Sequence, residues 1–286
     1  MRLADWRPGW RTDAIPHGFD GELIERDDCL VVRTPHNPTY YWGNCLIMRR
    51  LPGDGELAHW CERFDEEIAR RQPASRHVAI GVDDEFRGEQ RPAWEAAGFG
   101  LQVNVMLRLQ EGELRAPVRA PRGAVRLRPL DLEHESEALI EVEVTDAGVF
   151  EPVGYRAYLQ DQHRRWRAMQ AAGLMLWFGL WCDGALAATC GLMRDRPEPG
   201  ADGRFQRVVT HRAFRRRGLA STMVHGVARH ALAAWRCAAV YMAADPDDVA
   251  VGIYRSLGFR DLSTGIGLQR NAPDDRGSRY QRKDAP

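Results

Sequence analysis

The sequence has little of several features that would narrow its class. Its 40 basic residues include a single lysine, Lys283, and 40 acidic residues bring the formal net charge to zero. This neutral balance argues against general nucleic-acid binding, which relies on an excess of positive charge. The longest apolar run, residues 174–182, is far shorter than the roughly 20 residues of a membrane-spanning helix. We therefore expect neither nucleic acid nor membrane as a partner.

Signals for metal binding and for secretion are also missing. The six cysteines form no Cys-x-x-Cys pair and have no histidines at zinc-site spacing, and the sequence contains no His-Glu-x-x-His. The first ten residues are charged and interrupted by proline, so they lack the apolar segment of a secretory signal. We expect a cytoplasmic protein with reduced cysteines and no metal.

The composition does suit a folded protein, because 44% of the 286 residues are hydrophobic. Residues 111–123 contain two prolines and two glycines and show no apolar periodicity, which is typical of a connector. This pattern predicts four segments: a first domain over residues 1–112, a linker over 113–123, a second domain over 124–270 and a flexible tail over 271–286.

The second domain has the predicted order β-α-α-β-β-β-α-β-α-β. Two apolar runs flank Asp183-Gly184, a dipeptide that strongly favours a two-residue hairpin. We expect Asp131 to cap the first helix, either Asp247 or Asp248 to cap the last, and Gly258 to end it. Helices that alternate with strands in this way predict an α/β fold.

The stretch Val208–Ser221 is the most informative part of that domain, because a strand, an arginine-rich turn and a helix follow one another there. The start of a helix offers free backbone N–H groups and the positive end of the helix dipole. Three arginines, residues 215–217, add positive charge, and Gly218 lets a ligand approach the backbone closely. The turn lacks the patterns of a P-loop and of a dinucleotide fingerprint. We expect it to bind a pyrophosphate.

The distribution of charge agrees with an anionic ligand in the second half. Residues 1–118 carry 15 basic and 20 acidic side chains, and the rest carry 25 basic and 20 acidic ones. The second half is therefore net positive, which favours the approach of an anion.

Short segments of the first domain match the second domain. Val78–Asp83 is similar to Val240–Asp245, and Trp94–Phe99 is similar to Tyr254–Phe259, in the same order and at similar spacing. We interpret this as a diverged internal duplication. The loop that corresponds to the arginine-rich turn, Leu51–Glu56, is acidic and contains no arginine. We expect it to repel a diphosphate, so that the chain has one ligand site.

Two motifs together resemble the GCN5-related N-acetyltransferase (GNAT) superfamily. Arg215–Ala220 fits its Arg/Gln-x-x-Gly-x-Gly/Ala signature, and Asp247–Phe259 fits its downstream element. The resemblance covers about residues 125–270. It implies a mixed α/β fold with a splayed central sheet flanked by helices, preceded here by a smaller, diverged GNAT-like domain. The strand that ends at Thr210 and the strand that ends near Ala244 would separate, and the pantetheine arm of acetyl-CoA would lie between them.

The resemblance also implies which residues contact acetyl-CoA. An N–H group near Val209 or Thr210 would polarise the thioester carbonyl, and the turn would hold the pyrophosphate. The implied cofactor-binding residues are Val208, Val209, Thr210, Arg215, Arg216, Arg217, Gly218, Leu219, Ala220, Ser221 and Asp247. At the last position the family usually has asparagine, and because a carboxylate only accepts hydrogen bonds, this contact would differ here.

By the same resemblance, Tyr254 is the implied catalytic residue, a phenol that protonates the departing thiolate. A packed aromatic side chain is the other interpretation of this residue. No general base is evident, because the strand over residues 204–210 carries no carboxylate. Glu151 and Asp245 are weak substitutes, and an amine that arrives deprotonated is an equal alternative.

The resemblance predicts transfer of acetyl, or another short acyl group, from CoA to an amine of a small molecule or protein. A protein that binds acyl-CoA without turnover, as a sensor or an assembly partner, is the alternative. An acidic helix in the acceptor-facing region leaves a cationic acceptor open, although solubility is the more common reason for such a helix. Its glutamates are Glu133, Glu135, Glu137, Glu141 and Glu143.

Overall fold

The computed structural model describes residues 3–145 and 152–273. Contacts divide the chain into two units. The first unit comprises the residues up to Val105 and those from Ser263 onward, and the second unit comprises residues 106–262. The strand Gly100–Gln110 begins in the first unit and ends in the second, whereas the strand Arg260–Arg270 begins in the second and ends in the first. The two units are therefore not consecutive in sequence.

The first unit consists of short elements. Its helices are α1 (Pro8–Asp13), α2 (Ile15–Asp20), α3 (Leu57–Phe64) and α4 (Pro92–Ala96), and its strands are β1 (Glu22–Glu25), β2 (Cys29–Arg33), β3 (Cys45–Met48), β4 (Val78–Val82) and the first part of β5 (Gly100–Gln110). A π-helical turn over Asp65–Ala69 continues α3. The sequence predicts strands over residues 30–34, 45–50, 77–82 and 103–109, which correspond to β2 to β5. It also predicts an apolar helical stripe from Leu57 to Ile68 and a helix that ends over residues 94–98, which correspond to α3 and α4, but it predicts neither α1, α2 nor β1.

The strand order of the first unit is β1-β2-β3-β4-β11, where β11 is Arg260–Arg270. β3 and β4 are parallel, whereas β4 and β11 are antiparallel. Apolar side chains of α3 and α4, among them Phe64 and Trp94, pack with those of the strands into one core. On β4, Gly81 leaves room for Trp10, whose ring lies where a Cβ would stand. This contact brings α1 against the sheet.

The second unit holds longer elements. After the end of β5 come β6 (Val125–Pro129), α5 (Leu132–Val144), α6 (Pro152–Ala171), β7 (Met175–Cys182), β8 (Ala185–Arg194), β9 (Asp202–Thr210), α7 (Leu219–Arg229), β10 (Ala239–Ala244) and α8 (Val249–Ser256). The strand order is β5-β10-β9-β8-β7-β6, in which β10 and β9 are parallel and β6 to β9 are antiparallel neighbours. Along the chain, the elements from β6 to α8 follow one another in the order that the sequence predicts.

Local signals in the sequence account for several of these boundaries. The β7–β8 hairpin turns at Asp183 and Gly184, both with positive φ, as the two-residue turn requires. The Asp131 carboxylate accepts the Glu133 N–H at the start of α5. Gly258, with a φ of +102°, ends α8. The predicted hairpin, first cap and helix stop are therefore confirmed.

The division of the chain differs from the sequence-based segments. Residues 263–270 fall in the predicted second domain, yet they group with the first unit because β11 pairs with β4 from Ile266 to Arg270. Backbone contacts also tie the predicted linker to the second unit, where the Arg115 N–H donates to the Leu257 carbonyl. The predicted boundaries of independently folding domains stay a prediction. Most of the predicted tail, residues 274–286, lies outside the described residues.

Candidate functional site

The two central parallel strands of the second unit diverge. Three residue pairs join them: Asp202 with Ala239, Gly203 with Val240 and Arg204 with Tyr241. β9 continues to Thr210 and keeps its pairing with β8. Within the described residues, the stretch of β9 from 205 to 210, here called the open edge, has no register with β10. This divergence agrees with the splayed sheet that the sequence predicts.

A bulge interrupts the open edge. Gly191 of β8 is registered with Gln206, but Thr189 is registered with Val209, so that Arg207 and Val208 both lie opposite Cys190. Arg207 has a φ of +48°, in the left-handed region that residues other than glycine rarely adopt. A bulge bends its strand and changes which residues face each side.

Backbone N–H groups alternate along the strand after the bulge. The N–H of His211 donates to the Ala187 carbonyl at 2.9 Å, so it faces β8. Because successive N–H groups point to opposite sides of a strand, that of Val209 also faces β8 and that of Thr210 faces the gap. Of the two N–H groups expected to reach a thioester, the one that faces the gap is therefore that of Thr210.

The arginine-rich turn connects the open edge to α7. Gly218, with a φ of +77°, precedes the first helical residue, and no side chain caps the helix. The hydroxyls of Ser221 and Thr222 both donate to the Gly218 carbonyl at 2.9 Å. The first-turn N–H groups thus face outward without a capping oxygen, an arrangement suited to an anion.

The arginines of this turn lie at the surface. Arg215 and Arg216 are exposed, and the Arg215 Nε donates to the Thr210 carbonyl at 3.2 Å. The guanidinium of Arg217 lies 5.1 Å from the centre of the Phe214 ring. Together they place positive charge beside the helix start.

Residues of the predicted linker brace the same turn. The Arg122 N–H donates to the Arg217 carbonyl at 3.0 Å. A Cβ on Gly218 would stand 3.3 Å from the Ala120 carbonyl oxygen and 3.4 Å from the Pro121 Cα. Glycine is therefore favoured at position 218 by its φ, and a Cβ there would also press on the Ala120 carbonyl.

Tyr254 lies on α8 and is 7% exposed. Its ring centre is 6.2 Å from that of Phe259. Burial raises the pKa of Tyr254 above its usual value, and Cys190 and Asp248 raise it further. Cys190 is the residue opposite the bulge. The raised pKa keeps the phenol protonated near neutral pH.

The aspartates before α8 have different roles. The carboxylate of Asp248 accepts the Ala250 N–H at 2.9 Å and caps the helix, which decides between the two predicted caps. Asp247 is exposed, and its N–H donates to the Asp245 carboxylate. Asp245 thus orders the turn, and Glu151, the other weak candidate for a base, lies outside the described residues.

A buried polar cluster behind the open edge is not among the features that the sequence predicts. The side chain of Glu143 on α5 is fully buried and lies 3.1 Å from both His163 Nε2 and Arg207 Nε. Arg207 also donates to the Tyr155 hydroxyl. One signal existed in the sequence: Glu143 stands four and three residues after Leu139 and Ile140, on the apolar face of α5.

The other glutamates of α5 are paired as well. Glu137 and Glu141 share Arg156, and Glu135 pairs with Arg128 at 2.7 Å. Glu133 lies 4.0 Å from Arg167. These partners offset the negative charge of the helix, so its acidity gives little support for a cationic acceptor.

The corresponding strands of the first unit do not diverge. β3 and β4 stay paired to their ends, where the Asp83 N–H donates to the Met48 carbonyl at 2.8 Å. The Glu56 carboxylate accepts the Gly53 N–H at 2.8 Å, so the acidic loop supplies its own anion. Arg50 beside it lowers the pKa of Glu56 to about 2.

The helix ends of the two units support the internal duplication. The Phe99 N–H donates to the Trp94 carbonyl in the first unit, and the Phe259 N–H donates to the Tyr254 carbonyl in the second. A glycine with positive φ precedes each phenylalanine. Trp94 thus stands where the second unit has Tyr254, and it is fully buried without a hydroxyl.

Metal-binding clusters and membrane spans are both absent from the described residues. These residues contain no cluster of three or more histidine, cysteine or acidic side chains arranged to hold a metal ion. No helix among them combines the length and the apolar character needed to cross a bilayer.

Comparisons with known proteins agree with this geometry. Residues 137–259 match the model of the acetyltransferase (GNAT) family. A conserved protein of unknown function from Staphylococcus epidermidis gives a TM-score of 0.70 at 14% identity, over 88% of this chain and 95% of that chain. A GCN5-related N-acetyltransferase from Kribbella flavida gives 0.58 at 15% identity, over 92% and 96%. None of the curated proteins matches the chain.

A third solved structure has the same repeated organisation. A tandem GNAT protein from the clavulanic acid biosynthesis pathway gives a TM-score of 0.53 at 15% identity, over 79% of this chain and 73% of that chain. Identities this low show a shared fold and leave the substrate open. The predicted fold, a GNAT-like α/β domain preceded by a diverged copy, is confirmed.

Proposed function

We propose that the second unit, in which residues 137–259 match the model of the acetyltransferase (GNAT) family, is an acyl-CoA-dependent N-acyltransferase. It transfers acetyl from acetyl-CoA to an amine of a small molecule or a protein. The observation that carries this proposal is the open edge of β9, which runs from the bulge to the uncapped start of α7. An extended arm with amide groups can pair with such an edge, and a diphosphate suits such a helix start.

Each predicted site residue has a place in this proposal. The first-turn N–H groups of α7 and the arginines at 215–217 bind the pyrophosphate, while residues 208–210 pair with the pantetheine arm. Asp247 stands at the exposed start of α8, on the same edge of the sheet. Asp248 is the cap of that helix, so Asp247 remains available to a ligand.

Tyr254 serves as the general acid. The amine nitrogen attacks the thioester carbonyl, a C–N bond forms as the C–S bond breaks, and the sulfur takes the phenolic proton. The phenol of Tyr254 holds its proton throughout the neutral range, so it has a proton to donate to the departing sulfur. Since no carboxylate lies on the open edge, the amine enters as the neutral form or gives its first proton to water. The proton that the nitrogen loses after the attack also passes to water, which returns a proton to the Tyr254 phenolate.

Calorimetric titration with acetyl-CoA tests the binding step. We expect the wild-type protein to bind, and Arg217→Glu to weaken binding about tenfold or more because it reverses a charge beside the pyrophosphate. The matched control is Arg229→Glu, which makes the same change at the other, exposed end of α7. Absence of binding by the wild-type protein would refute the proposal.

Tyr254→Phe separates an enzyme from a binding protein. Phenylalanine keeps the packing against Phe259 and removes only the hydroxyl, so acetyl-CoA affinity should be unchanged while acetylation of a panel of amines falls about 100-fold. If the wild-type protein binds acetyl-CoA and acetylates no amine of the panel, the result favours the alternative, an acyl-CoA sensor or assembly partner.

A further inference from the structure

A group of polar side chains, here called the bulge cluster, lies behind the open edge. Its members are Glu143, Tyr155, Tyr158, His163 and Arg207. The Glu143 carboxylate has one oxygen 3.1 Å from His163 Nε2 and the other 3.1 Å from Arg207 Nε. The side chains of Glu143 and His163 are 0% and 1% exposed. A carboxylate this deeply buried is stable only when it is paired, and Arg207 supplies the opposite charge.

Two aromatic side chains also contact Arg207. The rings of Tyr155 and Tyr158 are stacked at 6.0 Å, and the guanidinium carbon of Arg207 lies 5.8 and 5.9 Å from their centres. The Tyr155 hydroxyl accepts a hydrogen bond from Arg207. The guanidinium is thus fixed from two sides, by a carboxylate and by two aromatic rings.

The backbone of Arg207 needs such a restraint. Its φ of +48° is unfavourable for a residue with a Cβ, and a bulge residue in this conformation is commonly glycine. The conformation decides which N–H groups face the gap, because a shift of one residue reverses the alternation beyond the bulge. Without the bulge, the N–H of Thr210 would turn from the gap toward β8.

We propose that Glu143 and His163 are positioning residues, which hold Arg207 in its left-handed conformation so that the open edge aims its N–H groups at the acyl carbonyl. This inference rests on the proposed function. Glu143 has no exposed surface, so it acts through Arg207 and not on the substrate. Hydrogen-bond donors fixed in advance stabilise the developing oxyanion more than donors that must reorient.

The test uses acetyl-CoA labelled with ¹³C at the acetyl carbonyl and follows the carbonyl stretch by isotope-edited infrared spectroscopy. In the wild-type protein we expect the stretch of the bound ligand to lie below that of free acetyl-CoA. In Glu143→Gln we expect it to return toward the free value. The affinity for acetyl-CoA should fall at least threefold while that for CoA, which has no acyl carbonyl, stays within twofold.

Two double variants separate positioning from general stability. Glycine adopts positive φ without restraint, so Glu143→Gln/Arg207→Gly should regain most of the lowered carbonyl stretch. Glu143→Gln/Arg207→Ala removes the same side chain but keeps the Cβ, and should not regain it. If the Glu143→Gln variant does not fold, His163→Gln replaces it in the infrared experiment. This variant should lose part of the shift of the carbonyl stretch.

Three results would overturn the inference. These are an unchanged carbonyl stretch in Glu143→Gln, an equal loss of CoA and acetyl-CoA affinity, or the same stretch in the glycine and alanine double variants. A wild-type protein that binds acetyl-CoA without any carbonyl shift would overturn it too, and would leave acyl-CoA binding intact. Failure of the wild-type protein to bind either ligand would instead overturn the proposed function.

Discussion

Single glycines have different roles in and after α8, the helix that carries Tyr254. Gly258 has a φ of +102°, and a Cβ there would stand 2.0 Å from the Glu113 carbonyl oxygen. Gly252 lies in the middle of the same helix, and a Cβ at that position would meet no other atom within 4 Å. The two glycines of one helix are therefore opposite cases, one required and one dispensable.

Alanine at these two positions should have opposite effects on stability. Gly258→Ala should lower the free energy of unfolding by about 2–4 kcal/mol because of the clash and the unfavourable φ. Gly252→Ala should raise it by about 0.5–1 kcal/mol because alanine is the better helix former. Urea unfolding of both variants measures the difference, and equal stabilities would contradict the steric argument.

His230 should make the protein less stable in acid. Burial, and next the charge of Arg194, lower the pKa of His230 below its ordinary value of 6.5. The unfolded chain then binds a proton more readily than the folded one, so stability is lost as the pH falls below about 6.5. His230→Gln should lose less unfolding free energy between pH 7.5 and 5.5 than the wild-type protein.

The matched control for that experiment is His134→Gln. Asp131 raises the pKa of the exposed His134, so this histidine cannot contribute to a loss of stability in acid. A control variant that shows the same reduced acid sensitivity as His230→Gln would contradict the assignment.

At the scale of elements, helix starts decide how the site is built. α7 begins at a glycine without a capping side chain, whereas α8 begins at Asp248, whose carboxylate satisfies the Ala250 N–H. The first start stays open to an anion, and the second is closed by its own chain. The sequence predicts the open start at Gly218 and a capped start at Asp247 or Asp248, and the structure selects Asp248.

The cap of α8 can be tested with its neighbour as the control. Asp248→Ala should lower the free energy of unfolding by about 1 kcal/mol, since it leaves an N–H of the first turn without its partner. Asp247→Ala should lower the free energy of unfolding by about 0.3 kcal/mol at most, because the Asp247 side chain does not cap the helix. Thermal unfolding of the two variants checks the difference, and the reverse order would exclude Asp248 as the cap.

At the scale of the whole molecule, two units of common design differ in their capacity for a ligand. In the second unit three residue pairs join β9 to β10 before the strands part. In the first unit β3 and β4 stay paired to their ends, and Glu56 occupies the loop with its own carboxylate. Trp94 takes the position that Tyr254 has in the second unit.

We expect the chain to bind about one molecule of acetyl-CoA. The paired strands of the first unit leave no edge for the pantetheine arm, and its loop already holds an anion. Calorimetry with a protein concentration fixed by absorbance gives the stoichiometry. A stoichiometry of two molecules per chain would contradict the single-site expectation, whether or not the second molecule still binds to Arg217→Glu.

The sequence by itself determined the features that arise from neighbours along the chain. The hairpin at Asp183-Gly184, the Asp131 cap, the stop at Gly258 and the arginine-rich turn are local patterns, and the two motifs that resemble the superfamily lie within single loop–helix units. Such signals act over a few residues, so they can be read without the fold.

Only the tertiary structure decided the features that depend on distant pairings. The divergence of β9 from β10, the placement of β11 beside β4 and the cluster of Glu143 with Arg207 join residues far apart in sequence. In the sequence Glu143 is one of several acidic residues on a helix, and its place on the apolar face of α5 is the one local signal of its burial. Its partners His163 and Arg207 cannot be read from that local pattern. Long-range strand register and burial are set by the packing of the whole unit, and that is where the site acquires its geometry.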